Sequence, residues 1–263
     1  MTQPLHTIHQ DAAWFPFGHA PLPDAKKLFC LPFAGGSASF FLSWRRALRD
    51  VSVVPVQYPG RETRIQEALP RSLGQLAEDV AQAMLPLLDA PYFLLGYSLG
   101  AKLAYAVCQR LVALGAPEPQ LLVVAAHGAP DSVPVISGAA DLPEDEFRAL
   151  LRQYGGVPEI VFEDPELCRL LLPILRNDMR LAAQPLDGQP LQCPVVAYAG
   201  TADTAALPDA MAQWRRYTRG RFELRSLEGG HFFARSNPEF LTLLARDLHT
   251  SLQQADDALC MPS

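Results

Sequence analysis

Gly96-Tyr97-Ser98-Leu99-Gly100 reads G-x-S-x-G, placed directly after an apolar run and directly before a helical one. That placement restricts the fold tightly, because the pattern predicts a strand ending in a sharp turn that lifts a serine above a sheet. Tyr92-Phe93-Leu94-Leu95 supplies the strand, and Ala101 to Leu114 carries Leu103, Ala104, Val107 and Leu111 at helical spacing. Glycine on either side suits a strained turn whose helix must start close to neighbouring strands. An ordinary tight turn that happens to contain serine would read the same over five residues. The rest of the chain must therefore supply partners for Ser98.

Around this turn, strand-like and helix-like segments alternate. Lys27 to Phe33 reads as a strand that runs into the small-residue loop Ala34-Gly35-Gly36-Ser37-Ala38, followed by a helix over Ser39 to Leu48. Val51 to Tyr58 is a second strand, closed by the turn Pro59-Gly60-Arg61. Ser72 to Asp89 reads as a helix with Leu73, Leu76, Ala77, Val80, Met84 and Leu87 on one face, Ser72 and Gln75 as a capping box, and a kink at Pro86. Leu121 to Ala126, Pro194 to Ala199 and Phe222 to Leu227 complete the strands, and Asn237-Pro238 opens a last helix. Such alternation predicts an α/β fold with a mostly parallel central sheet flanked by helices, its site at the carboxyl ends of the strands.

The rhythm breaks between 130 and 190. Three helical pieces, Glu144 to Tyr154, Pro165 to Leu175 and Arg176 to Ala183, carry more apolar residues than one stripe needs. One reading is an extra helical layer of core; the favoured one, for an insertion after a strand's carboxyl end, is a helical lid over an apolar pocket. The expected division is an N-terminal arm (1–25) with Trp14, Phe15 and Phe17 packed on the body, a core (26–129 and 191–252), the lid (130–190) and a flexible tail (253–263).

Composition narrows the function classes. Of 263 residues, 49% are hydrophobic and 19% charged, a globular balance. A formal net charge of −6 argues against nucleic-acid binding, and no apolar stretch is long enough to span a bilayer. The polar start, Met1 to Asp11, lacks a secretory pattern and points to the cytoplasm. The five cysteines, Cys30, Cys108, Cys168, Cys193 and Cys260, have no paired spacing, so neither a disulfide framework nor a metal site is expected.

A serine hydroxyl needs a base to act as a nucleophile, and the base needs a carboxylate to orient it. The chain order for this turn is serine, acid, histidine, which excludes His6, His9 and His19. His231, in Gly229-Gly230-His231-Phe232-Phe233 after the last strand, is the expected base; His127 is the runner-up, and His249 lies within the last helix. Asp203, just past the strand ending at Ala199, is the expected acid, with Asp131 and Asp209 as alternatives. The backbone N–H groups of Leu99 and Ala34 are the expected oxyanion donors. No cofactor is needed.

Leu-Pro-Phe-Ala-Gly-Gly-Ser-Ala (31–38), Tyr-Pro-Gly-Arg (58–61), the serine turn, Leu-Pro-Glu-Asp-Glu-Phe (142–147), Leu-Leu-Pro-Ile-Leu-Arg-Asn-Asp (171–178) and Gly-Gly-His-Phe-Phe (229–233) follow one another in the chain. In that order they resemble the type II thioesterases, over about residues 26 to 250. The resemblance implies an α/β-hydrolase fold with a lid, the triad Ser98, Asp203 and His231, and oxyanion donors at Ala34 and Leu99. It also implies hydrolysis of stalled or incorrect acyl groups from the phosphopantetheine arm of acyl or peptidyl carrier proteins of polyketide and non-ribosomal peptide synthesis, by a monomer. Phe33 and Tyr97 stand where the family commonly has histidine, and with Phe232 they are expected to shape the acyl pocket. Other readings are a fatty acyl-carrier thioesterase, a small-molecule carboxylesterase, or a scaffold that binds without turnover. Arg215, Arg216, Arg219, Arg221 and Arg225 form a basic cluster, read first as a solvated surface and second as a carrier contact.

Overall fold

The computed structural model describes residues 13–18, 26–132 and 138–260, with side chains up to residue 254. Six strands, β1 (Lys26–Leu31), β2 (Val51–Pro55), β3 (Tyr92–Tyr97), β4 (Leu121–Ala125), β5 (Val195–Gly200) and β6 (Phe222–Leu227), form one sheet of order β2-β1-β3-β4-β5-β6. All five pairings are parallel. This is the α/β architecture expected from the alternating pattern. After β2 the chain crosses back over β1 to β3, so the order reverses between these two strands. The crevice above such a switch point is where loops can diverge and a ligand can enter.

The helices are α1 (Leu73–Met84), α2 (Leu99–Ala113), α3 (Glu144–Tyr154), α4 (Glu159–Glu163), α5 (Pro165–Ala183), α6 (Pro208–Ala212), α7 (Phe233–Ser236) and α8 (Glu239–Cys260). Strand alternation divides the core into two layers. Tyr92 and Leu94 of β3 face the layer that holds α1 and α2. Phe93, Leu95 and Tyr97 face the other, with Phe41, Trp44 and the apolar side of α8. Ser72 caps α1 by accepting from Gln75 N at 3.1 Å, but the Gln75 side chain turns to Asp79, so the box is not reciprocal. Asn237 accepts from Glu239 N at 2.9 Å, which fits its expected capping role.

Several boundaries differ from expectation. β1 stops before Pro32, which has no N–H to continue a ladder, and β2 ends at Pro55, one residue before Val56 N donates to the Cys30 carbonyl at 2.9 Å. Pro86 does more than kink the second helix: α1 ends at Met84, and a 3₁₀ turn follows over Leu85–Leu87. The segment after the small-residue loop is a 3₁₀ helix over Ala38–Arg46 rather than an α-helix. Its buried residues Ala38, Phe41 and Trp44 recur every third position, which aligns one face at three residues per turn.

Between β4 and β5 the described residues form α3, α4 and α5 and no strand. The two pieces expected at 165–175 and 176–183 are one helix, continuous through Pro173. Cys168, Leu172, Leu175, Met179 and Ala182 are all buried at three- and four-residue steps, so a single apolar face spans the expected break. Together with Phe147, Leu151 and Phe162, most of that face forms a small core separate from the two beside the sheet. Of the N-terminal arm, Trp14 and Phe15 are buried in the main core; positions 1–12 and 19–25 lie outside the described residues, as do 261–263. The last helix continues to Cys260, past Gln253, where the sequence reading starts a tail. Cys30, Cys108, Cys168 and Cys193 are free and buried. No helix among the described residues is long and apolar enough to cross a membrane.

Candidate active site

The end of β3 is shaped by two glycines that make room for one another. A Cβ on Gly96 would lie 2.0 Å from the Gly100 carbonyl oxygen, and a Cβ on Gly100 would lie 2.1 Å from that of Leu31. No side chain fits at either place, and the approach lets α2 begin directly against β1. Ser98 between them takes φ 54° and ψ −120°, a conformation that is strained for a residue with a side chain. Its own N–H is held by the Ala125 carbonyl at 2.7 Å, which pins the turn to β4.

Loops after β5 and β6 bring two more groups to this point. His231 Nε2 is 3.0 Å from Ser98 Oγ, and His231 Nδ1 is 2.9 Å from Asp203 Oδ2. Asp203 is fully buried, and its other oxygen accepts from Ala205 N and Ala206 N at 2.9 and 3.2 Å. These backbone donors fix the carboxylate, the carboxylate accepts the Nδ1 proton, and the tautomer this sets leaves Nε2 to accept from the serine hydroxyl. The arrangement can remove a proton from Ser98 and return it to a leaving group.

Among the described residues none of the alternative partners is hydrogen-bonded into the relay of Ser98, His231 and Asp203. Asp131 pairs with Arg216 at 2.8 Å, and Asp209 is exposed in the first turn of α6. His127 lines the same cavity as Ser98, but its Nδ1 donates to the Gly128 carbonyl at 2.8 Å and its main-chain oxygen accepts from Trp214 Nε1. Burial lowers the pKa of His127 to about 4, and its Nε2 has no hydrogen-bond partner among the described residues. His249 is exposed on α8.

Above Ser98 lies an apolar cavity roofed by α3, α4 and α5 through Leu151, Val161, Leu171, Leu175 and Met179. Phe33 and Phe232 line it, with Ala34 and Leu99 beside the serine. Tyr97 does not, although it was expected in the pocket. Strand alternation turns its ring to the opposite layer, where it is fully buried and its hydroxyl donates to the His231 carbonyl at 2.7 Å. It supports the histidine loop from below.

A buried ion pair, invisible in the sequence, ties the roof to the small-residue loop. Arg61 donates to both oxygens of Asp178 on α5 at 2.7 and 3.0 Å, and Gly35 N donates to the same carboxylate at 2.8 Å. Gly36 N is held by the Phe33 carbonyl. Lys102, one turn into α2, donates to the carbonyl of Ala182 at 3.0 Å near the end of α5, and burial lowers its pKa to about 8. The basic cluster is largely paired: Arg216 with Asp131, Arg221 with Glu223, and Arg225 with Glu223 and Asp247.

The model of the thioesterase domain family matches residues 26–252. Thioesterase PikA5 from Streptomyces venezuelae is 38% identical over 224 residues, spanning 84% of this chain and 79% of that protein. Among solved structures, RedJ, a thioesterase from the prodiginine biosynthetic pathway in Streptomyces coelicolor, superposes with a TM-score of 0.79 at 35% identity, covering 91% of this chain and 98% of RedJ. YbtT, a type II thioesterase from the yersiniabactin NRPS/PKS biosynthetic pathway, superposes with a TM-score of 0.80 at 28% identity, covering 88% and 96%. With the parallel sheet and the serine turn in place, the chain has the α/β-hydrolase fold of these structures and belongs to the thioesterase family, the hydrolases of thioester bonds.

Proposed function

We propose that the protein is a serine thioesterase of the type II kind, which hydrolyses acyl groups from the phosphopantetheine arm of carrier proteins and so clears stalled or aberrant chains beside a polyketide synthase or non-ribosomal peptide synthetase. The observation that carries this reading is the relay from Asp203 through His231 to Ser98, at 2.9 and 3.0 Å, on the floor of an apolar cavity. The similarity to PikA5, RedJ and YbtT supports the carrier-bound substrate and the setting.

In this mechanism Ser98 Oγ attacks the thioester carbonyl carbon as His231 Nε2 takes its proton, and Asp203 stabilises the imidazolium. The oxyanion is received by the N–H of Leu99, at the free start of α2, and by that of Ala34. In favour of Ala34, the next two amides of its loop, Gly35 and Gly36, already have acceptors. Collapse breaks the C–S bond, and the thiolate takes the proton from His231. Because a thiolate leaves easily, the demand on this acid is modest. Water then attacks the acyl-serine with His231 again as base, releasing the acid and restoring Ser98.

The insertion, residues 130–190, serves as the lid, and its apolar underside holds the acyl chain out of water. Phe33 and Phe232 form the wall of that pocket. The site of action is the cytoplasm, with an acyl or peptidyl carrier protein as partner. Hydrolysis of an acyl-loaded carrier should be compared with that of the matching simple oxygen ester. A strong preference for the carrier thioester, lost in Ser98→Ala, is expected; equal turnover of both would reject the carrier assignment.

A further inference from the structure

Arg235 stands on the outer side of the wall that closes the cavity. Its Cζ lies 5.2, 5.2 and 5.1 Å from the ring centroids of Phe33, Phe40 and Phe232. Two of these rings, Phe33 and Phe232, face the catalytic cavity, and the Phe232 ring is 5.1 Å from that of His231. The guanidinium is therefore one aromatic ring away from the reacting atoms. It also borders a second pocket with Ser43, Trp44, Asn237 and Leu241.

The charge is held in place but little used. Three rings surround the guanidinium of a side chain that is otherwise exposed. A guanidinium has five N–H donors, yet its hydrogen bond here is a long one, 3.5 Å to the Gly156 carbonyl. Among the described residues no carboxylate forms an ion pair with it, in contrast to Arg61, Arg216, Arg221 and Arg225. Burial lowers its pKa, and the influence that offsets this is the Tyr97 hydroxyl rather than a carboxylate. A preoriented, unneutralised fork of this kind suits a phosphate oxygen pair.

Resting on the thioesterase reading above, we propose that Arg235 binds the phosphate of the phosphopantetheine arm while the thioester lies at Ser98. The arm then passes across the Phe33 and Phe232 edge, with its anionic end on the guanidinium in the outer pocket. Arg235 would act as a specificity residue for phosphorylated arms, independent of the acyl group.

The test uses the full chain and one short acyl group carried on pantetheine, on 4′-phosphopantetheine and on a carrier protein. For the wild type, kcat/KM should be about tenfold higher for the phosphopantetheine thioester than for the pantetheine thioester, the size of one charge-assisted hydrogen bond. Arg235→Gln should bring that ratio close to one, and Arg235→Lys should retain part of it. A ratio cancels any loss common to both substrates from loosened packing of Phe33 and Phe232. A wild-type ratio near one, or an unchanged ratio in Arg235→Gln, would overturn the proposal while leaving the thioesterase reading intact. So would an effect confined to the carrier-bound substrate, which would assign Arg235 to a carboxylate of the carrier. Hydrolysis of none of the three would reject the thioesterase reading and this inference with it.

Discussion

The hydroxyl of Tyr97 donates to the main-chain carbonyl of His231 at 2.7 Å, so the residue before the serine supports the residue that would activate it. In Tyr97→Phe the ring still fills the core, but the carbonyl loses its donor. A stability loss of about 1 kcal/mol in urea unfolding is expected. We also expect kcat to fall several-fold with KM nearly constant, since the imidazole is less well fixed while the pocket is unchanged.

Gly96 and Gly100 allow no Cβ without displacing backbone. Alanine at either position should cost more than about 2 kcal/mol and abolish hydrolysis, because the turn itself must shift. Gly115, with φ +79° and open space around its Cβ, provides the contrast. There alanine should cost only about 1 kcal/mol, and activity should persist. Thermal melts and a turnover assay of the three variants check this.

Arg61 and Asp178 are almost completely buried. Removing one partner leaves an uncompensated charge in the interior, so Asp178→Ala should destabilise by about 3–5 kcal/mol. Replacing both with apolar residues should cost less than the sum of the single changes. Urea titration of the double-mutant cycle measures the coupling.

His127 is neutral in its buried site, with a pKa lowered from the model-peptide value of 6.5 to about 4. Between these values the unfolded chain binds more protons than the folded one, so stability falls as pH drops from 6.5 towards 4. The contribution from this one residue is at most about 3 kcal/mol. His127→Gln does not titrate and should lose that part of the slope. Chemical unfolding of both proteins at pH 7 and pH 4.5 measures the difference.

What could be read from the sequence was what neighbours in the chain determine. Strand, turn and helix around Ser98 are contiguous, and the order of Ser98, Asp203 and His231 at three strand ends needed no knowledge of distances. The segment Ser39 to Leu48 reads as a helix without showing its kind, and only burial of every third residue marks it as 3₁₀. The break expected between Leu175 and Arg176 falls inside α5, because one apolar face runs through it. Tyr97 was assigned to the pocket by its closeness in sequence to Ser98, whereas strand alternation turns it to the other layer. The Arg61–Asp178 pair joins groups 117 residues apart, which nothing local announces. The setting of Arg235 is only partly local: Phe232 precedes it closely in the chain, whereas Phe33 and Phe40 belong to the segment after β1.

The account depends most on Ser98 as the nucleophile. The direct measurement is mass spectrometry of the intact and digested protein after incubation with an alkyl fluorophosphonate. A single adduct on the peptide containing Ser98, absent from Ser98→Ala and slowed in His231→Ala, is expected. An unlabelled Ser98 in protein that still hydrolyses acyl thioesters, or full hydrolysis by Ser98→Ala, would contradict it.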